Sequence, residues 1–438
     1  MIITWMKGGE AFKVIIQRIS TMVEAKANSY GRVYGEPHGK NTTLNVYRGE
    51  QGGSTTRPED LLVSIPIGHP DSMMSKESVR RAVEDFITTP TDIIVSTFPK
   101  TGTTLITWIC HLLRTLSQHY NNNKEKNNNE IELLKLKIMN SFDTIYELCP
   151  WPTLCWDIGD DPNNTIPQYQ GLPLSPRVYK SHLRMASIYP GCKYIVTVRD
   201  PSKTTLSFYN FFISKKVPFI IDTTNENNDN DKILMDVSTF LMDTPFIQGI
   251  TTKAEPNQRA SIWDYYIEYH QLLYCSDVLI LIYEDIVQDM PQAIRQIGQF
   301  MNIINNDNDS DDDDGIDNDN GNDDDNLVSI IGSMTTKEYM SQYMSKFDEP
   351  YERACQLNRS ADLSQLAPGN KIATVQQKNH PQTLNKEAQQ FLRTKWNESL
   401  QPLGYNNYSD DFCTTIRNRN KTLFAYMRIG ILVPNGSG

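Results

Sequence analysis

Ser96-Thr97-Phe98-Pro99-Lys100-Thr101-Gly102-Thr103-Thr104 is the stretch whose reading decides the fold. Before it runs Asp92-Ile93-Ile94-Val95, rich in β-branched residues. After it, from Thr103 to His119, Leu105, Trp108, Ile109, Leu112 and Leu113 recur at helical spacing. A strand, a glycine-bearing turn and a helix start thus follow one another directly. A helix N-terminus presents unpaired N–H groups and the positive end of its dipole, so this arrangement suits phosphate-like or sulfate-like anions. Lys100 adds a mobile positive charge, and the threonine hydroxyls add donors. The nucleotide-kinase loop G-x-x-x-x-G-K-[ST] sets its Lys after the second Gly. Here Lys100 comes before Gly102, and Gly35-Glu36-Pro37-His38-Gly39-Lys40-Asn41 is one residue short and lacks the Ser/Thr.

Outward from this unit the pattern repeats. Tyr194-Ile195-Val196-Thr197-Val198 precedes Arg199-Asp200-Pro201 and a helix-like stretch to Phe212. Val278-Leu279-Ile280-Leu281-Ile282 precedes Tyr283-Glu284-Asp285 and an amphipathic segment from Pro291 to Met301. Near-continuously apolar strands alternating with helices mark a parallel sheet covered on both faces. The predicted class is α/β, a doubly wound parallel sheet flanked by helices. In such sheets ligands sit outside the carboxyl ends of the strands. There the chain carries Lys100, then Lys180 and His182 within Val178-Tyr179-Lys180-Ser181-His182, and Arg199 with Ser207 beyond it. Strand alternation puts Lys180 and His182 on one side. A Lys beside a His suits charge stabilisation and removal of a hydroxyl proton, and an Arg forks onto phosphate. Together they describe a cleft for a polyanionic nucleotide. Two other readings stay open on the residues alone: a P-loop nucleotide kinase or NTPase with Glu284 and Asp285 as its acid pair, and a non-catalytic nucleotide-binding scaffold.

In order, spacing and motif these segments resemble the cytosolic sulfotransferase family, which uses 3′-phosphoadenylyl sulfate (PAPS). Thr97 to Thr104 resembles the family's 5′-phosphosulfate loop, Tyr194 to Phe208 its 3′-phosphate strand and helix, and Lys180-Ser181-His182 the segment holding its catalytic histidine. Tyr283-Glu284-Asp285 and the helix after it resemble another characteristic stretch. The resemblance implies a P-loop-like sulfotransferase fold and PAPS as co-substrate. It implies His182 as general base, with Lys100 and Lys180 stabilising charge on the sulfuryl group and the departing phosphate oxygen. Lys100, Thr101, Gly102, Thr103 and Thr104 would hold the 5′-phosphosulfate, and Arg199 and Ser207 the 3′-phosphate. The motifs call for no metal. Leu105 stands where the family usually has an adenine-stacking Trp, which moves the expected aromatic platform to Trp263. The family's basic C-terminal segment is not found, and Lys371 stands nearest to its role. The implied acceptor is a small molecule, a phenol or alcohol (or an amine), suggested by the aromatic-rich Cys149 to Pro152 and Phe208 to Phe212. The family's dimerisation signature is missing, so oligomeric state is not read.

The rest of the chain is organised around this core. Of its 438 residues 39% are hydrophobic, and the net charge of -11 comes from 42 basic against 53 acidic residues. Asn305 to Asn326 holds 11 Asp and no Lys or Arg; without them 42 acidic residues balance the 42 basic ones. The acidity belongs to one segment, and no basic face for nucleic acid emerges. Asp311 to Asp314 are contiguous with no Glu at calcium-loop spacing, so the tract reads as a disordered insertion. Polar tracts at 121–130 and 224–231 read likewise. Seven cysteines without a C-x-x-C pair, no continuous apolar leader and no membrane-length apolar run point to free thiols in the cytoplasm. The expected organisation is an N-terminal extension over 1–85, a sulfotransferase domain over 86–410, and a C-terminal tail over 411–438.

Overall fold

The computed structural model describes residues 76–120, 128–164, 167–169, 171–184, 191–214, 221–222, 233–234, 236–249, 260–304, 320–347 and 383–428. Its centre is a four-stranded parallel sheet made of β1 (Ile93–Ser96), β2 (Val178–Ser181), β3 (Lys193–Val198) and β4 (Val278–Ile282), in the order β2-β1-β3-β4. Ile93 pairs with both Val178 and Lys193, and Tyr194 with Val278. Nearly every strand residue is buried, which is why β1, β3 and β4 read as near-continuous apolar runs; β2 instead carries Lys180 and Ser181. The chain leaves β1 toward β2 on one side, then crosses back to β3 on the other. Connections diverging from adjacent strands open a crevice at the carboxyl ends of β1 and β3.

Helices α1 (Lys76–Glu84), α2 (Thr103–Tyr120), α3 (Pro201–Ser214), α4 (Ile262–Gln271), α5 (Met290–Phe300), α6 (Asn320–Met334), α7 (Lys386–Ser399) and α8 (Cys413–Arg428) surround the sheet. Helices α2, α5 and α6 pack together, and α3, α4 and α7 form a second group. The fold is thus α/β with a helix-flanked parallel sheet, as expected. Helix α2 is buried all round from Ile106 to Leu116, beyond the single apolar face read from its sequence. The reason is that α5 and α6 cover its outer side, and the Trp108 indole N–H donates to the Met334 carbonyl at 3.0 Å.

The expected boundaries shift in three places. Helix α1 lies inside the predicted N-terminal extension, yet Val79, Ala82 and Val83 are buried and the Arg81 guanidinium lies 4.7 Å from the Trp156 ring centre. Helix α6 begins at Asn320, within the acidic tract, where Asp325 pairs with Arg295 of α5 at 2.5 Å. The remainder of that tract, 305–319, lies outside the described residues, as does 224–231. A helix over Asn128–Met139 likewise takes up the end of the 121–130 tract.

Residues 413–428, expected as a tail, form helix α8 against β4. It buries Cys413, Ile416, Asn420, Leu423 and Phe424, a helical stripe. Asn420 donates to the Ile280 carbonyl at 2.7 Å, and Arg419 donates to the carbonyls of Leu273 (2.8 Å), Cys275 and Val278. These partners satisfy backbone oxygens of β4 and of the turn that leads into it. Among the described residues no helix is long and apolar enough to cross a membrane. Arg419→Ala should therefore lower the unfolding free energy by about 1.5–3 kcal/mol, the worth of hydrogen bonds from a charged group. Urea denaturation checks this, and an unchanged midpoint would return α8 to the status of a tail.

Candidate active site

The turn after β1 is held from within. The Thr101 hydroxyl donates to the Phe98 carbonyl at 2.6 Å and meets the Thr197 hydroxyl of β3 at 2.8 Å. The Thr97 and Thr103 hydroxyls pair with each other. Both Thr101 and Thr103 are buried, so the Thr101 hydroxyl serves the loop and is no donor to a ligand, contrary to the sequence expectation. What faces outward is backbone: α2 starts at Thr103 with no acidic residue in its first turn, leaving its leading N–H groups for an anion. Lys100 has φ 68°, a left-handed conformation that costs a non-glycine residue about 1–2 kcal/mol. Its ammonium lies 4.2 Å from the Phe211 ring centre on α3. Thr104 and Leu105, in the first turn, are half-buried.

Arg199 closes the other side of the crevice. Its Nη1 donates to the Lys100 carbonyl at 2.7 Å, and its guanidinium lies 4.3 Å from the Tyr283 ring centre. Neither neighbouring carboxylate takes it. Asp200 caps α3 by accepting from the Lys203 N–H at 3.0 Å. Glu284 accepts from the Asp200 N–H at 3.2 Å and the Tyr408 hydroxyl at 2.9 Å. Arg199 Nε is buried with no hydrogen-bond partner among the described residues, a group that a ligand oxygen would satisfy. Ser207 sits half-buried farther along α3.

At the end of β2, Lys180 and His182 both face Trp151. The Lys180 ammonium is 3.6 Å from the Trp151 ring centre and donates to the Tyr146 hydroxyl at 3.1 Å. The His182 ring meets Trp151 edge-on at 5.2 Å. His182 Nδ1 lies 2.8 Å from the Thr97 carbonyl oxygen. A carbonyl only accepts, so Nδ1 carries the proton and, in the neutral ring, Nε2 carries the lone pair.

Trp263 is elsewhere. It is 4% exposed and packs edge-on against Trp396 of α7, 6.3 Å between centres. A ring enclosed by α4 and α7 offers no face to an adenine, which corrects its expected role as platform. A second aromatic beside the turn after β1 is Tyr283, directly after β4. A Cβ on Gly102 would lie 2.7 Å from its Cδ2. Sequence reasoning quoted Tyr283 without a role, although its place at a strand's carboxyl end was a usable signal. Lys371 lies outside the described residues. The structure thus gathers Lys100, Gly102, Thr103, Thr104, Lys180, His182, Arg199 and Tyr283 around the ends of the parallel strands.

Gly102 has φ 116° and no room for a side chain. Gly102→Ala should cost about 1–3 kcal/mol of stability, the usual price of a forbidden backbone region, and push Tyr283 aside. Thermal unfolding with tyrosine fluorescence checks both, and a wild-type melting curve would contradict the close contact.

Comparison with known proteins follows the same lines. A sequence model described as "Sulfotransferase domain" matches residues 90–346. Sulfotransferase 1 family member D1 of Mus musculus is 30% identical over 140 residues, 31% of this chain and 40% of the relative. Sulfotransferase 1C2 of Rattus norvegicus is 23% identical over 224 residues, 50% of this chain and 61% of the relative. The chain therefore spans about half the length of these curated relatives. Among solved structures, retinol dehydratase in complex with androsterone and inactive cofactor PAP has a TM-score of 0.42 at 13% identity, covering 75% of this chain and 87% of that one. A mouse sulfotransferase complexed with PAP has a TM-score of 0.39 at 13% identity, covering 79% and 95%. With the domain match extending over more than half of its residues, from 90 to 346, the chain belongs to the sulfotransferase family.

Proposed function

We propose that this protein transfers a sulfuryl group from PAPS to a hydroxyl, or an amine, of a small acceptor, with His182 as general base. The observation that carries the reading is the Nδ1–H bond from His182 to the Thr97 carbonyl. It leaves the lone pair of the neutral ring on Nε2, in a residue just past β2 and beside the turn that follows β1. The residues fit the donor: unpaired N–H groups at the start of α2, an orphaned Arg199 Nε, and a glycine pressed against an aromatic ring. When bound, PAPS supplies an activated sulfuryl group and a phosphate leaving group.

This chain's residues then divide the work. The N–H groups of Gly102 to Leu105 and the Lys100 ammonium hold the 5′-phosphosulfate, and Arg199 with Ser207 holds the 3′-phosphate. Tyr283 takes the place proposed for Trp263 as the ring under the base. Lys180 and Lys100 meet charge developing on the sulfuryl and bridging oxygens, a preorganised electrostatic effect. The Lys180 ammonium is buried, with the Trp151 ring centre 3.6 Å away and the Tyr146 hydroxyl as its hydrogen-bond partner at 3.1 Å. His182 Nε2 accepts the acceptor's proton. Positioning and charge neutralisation dominate, as in phosphoryl transfer. Trp151 beside His182 supports a phenol or alcohol as acceptor, whereas Phe208 is a core residue packed on Phe98 and Phe246. The six described cysteines are free, in keeping with a cytoplasmic setting, and burial pushes the Cys149 thiol up to about 11.

His182→Asn keeps an amide donor for Thr97 and removes the base. Turnover should fall by about 10²–10⁴-fold with PAP affinity nearly intact; near-wild-type turnover would move the base elsewhere. Arg199→Ala should weaken PAP by about 1.5–3 kcal/mol in isothermal titration. An analogue lacking the 3′-phosphate should lose much less, and an equal loss for both would contradict the assignment.

A further inference from the structure

Helix α4 reads Ile262-Trp263-Asp264-Tyr265-Tyr266-Ile267-Glu268-Tyr269-His270-Gln271. Its three tyrosines are buried at 1%, 0% and 1% exposure. A buried phenol must find a hydrogen-bond partner or lose stability, and all three hydroxyls reach backbone at the end of a different central strand. Tyr265 donates to the His182 carbonyl at 2.5 Å, beyond β2. The Tyr266 hydroxyl accepts from the Arg199 N–H at 3.1 Å and donates to the Arg199 carbonyl, beyond β3. Tyr269 lies 3.5 Å from the Ser96 carbonyl of β1. Burial pushes all three phenols well above their ordinary range, so each keeps its proton.

The mounting is stiff. A capping box between Ser261 and Asp264 fixes the start of α4. The Tyr265 ring packs edge-on against Phe98 at 5.5 Å, and the Tyr266 ring is backed by Phe412 at 5.4 Å. Two of the contacted peptides carry the chemistry. The His182 ring direction depends on where peptide 182 stands relative to the Thr97 carbonyl. The Arg199 guanidinium is tethered to Lys100 and depends equally on its own peptide.

We propose that Tyr265 and Tyr266 are positioning residues for sulfuryl transfer. Tyr265 fixes the base, Tyr266 fixes the 3′-phosphate grip, and their shared helix sets the span between proton acceptor and donor nucleotide. Tyr269, whose hydroxyl reaches Ser96 and Phe98 but neither peptide 182 nor peptide 199, governs neither quantity. The inference rests on the sulfuryl-transfer reading. It divides the roles in a way that simple packing does not, because neighbouring hydroxyls on one helix govern separate kinetic quantities.

The test uses the full chain and its Tyr265→Phe, Tyr266→Phe and Tyr269→Phe variants, with PAPS and 4-nitrophenol for turnover and PAP for titration. All are measured well below each variant's urea midpoint. Tyr265→Phe should lower kcat by about tenfold or more, with PAP affinity within about twofold. Tyr266→Phe should weaken PAP by about tenfold, with kcat at saturating PAPS within about threefold. Tyr269→Phe should change neither. A second measurement holds if Tyr265→Phe is poorly stable: placed on His182→Asn, it should bring no further loss of turnover, since the base it orients is gone. Equal losses of kcat and PAP affinity in both variants, no loss in either, or additive losses on His182→Asn would overturn the inference. A wild-type chain that neither binds PAP nor transfers sulfate would overturn the functional reading beneath it instead.

Discussion

The carbonyl oxygen of Thr97 is the point on which the arrangement turns. It lies just past β1 and receives the Nδ1–H of His182 from just past β2. That bond is possible only because the two strands run parallel and in register, Ser96 opposite Ser181, so that their ends stop level. The Thr97 N–H continues the ladder to the Ser181 carbonyl at 3.2 Å, and the Ser96 hydroxyl reaches the Leu183 carbonyl. A slip of one residue would turn every side chain to the opposite face and part the imidazole from the loop. Sheet register therefore carries directly into the protonation geometry of the site.

Much of this was legible in the sequence, for a physical reason. Strands of a parallel sheet covered on both faces must be apolar throughout, which is why Ile93–Val95, Tyr194–Val198 and Val278–Ile282 stand out. Residues set soon after such runs inherit a position at the open edge, so Lys100 and Arg199 could be placed from order, while Lys180 and His182 were paired by the alternation of a short strand. What spacing does not convey is which way a ring faces. Trp263 and Tyr283 were both near the right segments, yet Trp263 opens a helix whose first turn packs on Trp396, while Tyr283 leaves a strand at the loop. Helix α8 was hidden differently. Its Arg419 and Asn420 look like solvent-facing polar residues, because their partners are carbonyls far earlier in the chain. The helical starts at Asn128 and Asn320 were masked by composition, since Asn- and Asp-rich tracts read as loop even where their last residues join a helix.

The two helical groups on the sheet do unlike work. Around α2 the contacts are apolar and dense, and even the fully buried Arg114 is held by the carbonyls of Leu148 and Pro176 instead of a carboxylate, its Nε without a hydrogen-bond partner among the described residues. That group holds the Cys149–Trp151 segment against Lys180, with the Lys180 N–H donating to the Pro150 carbonyl at 2.9 Å. Around α4 the contacts to the strand ends are made by phenol hydroxyls, those of Tyr265 and Tyr266 short and directional. The first group supplies bulk and the second supplies alignment.

The backbone of Lys100 has a consequence for anyone who alters this protein. Its left-handed conformation is one that glycine adopts most easily, yet the position holds a lysine in the turn between β1 and α2. Selection for thermal tolerance alone, blind to chemistry, would drift toward glycine at this position and discard an ammonium group with it. Directed evolution here needs a catalytic readout at every round, because the residue most easily improved is one proposed to hold the donor.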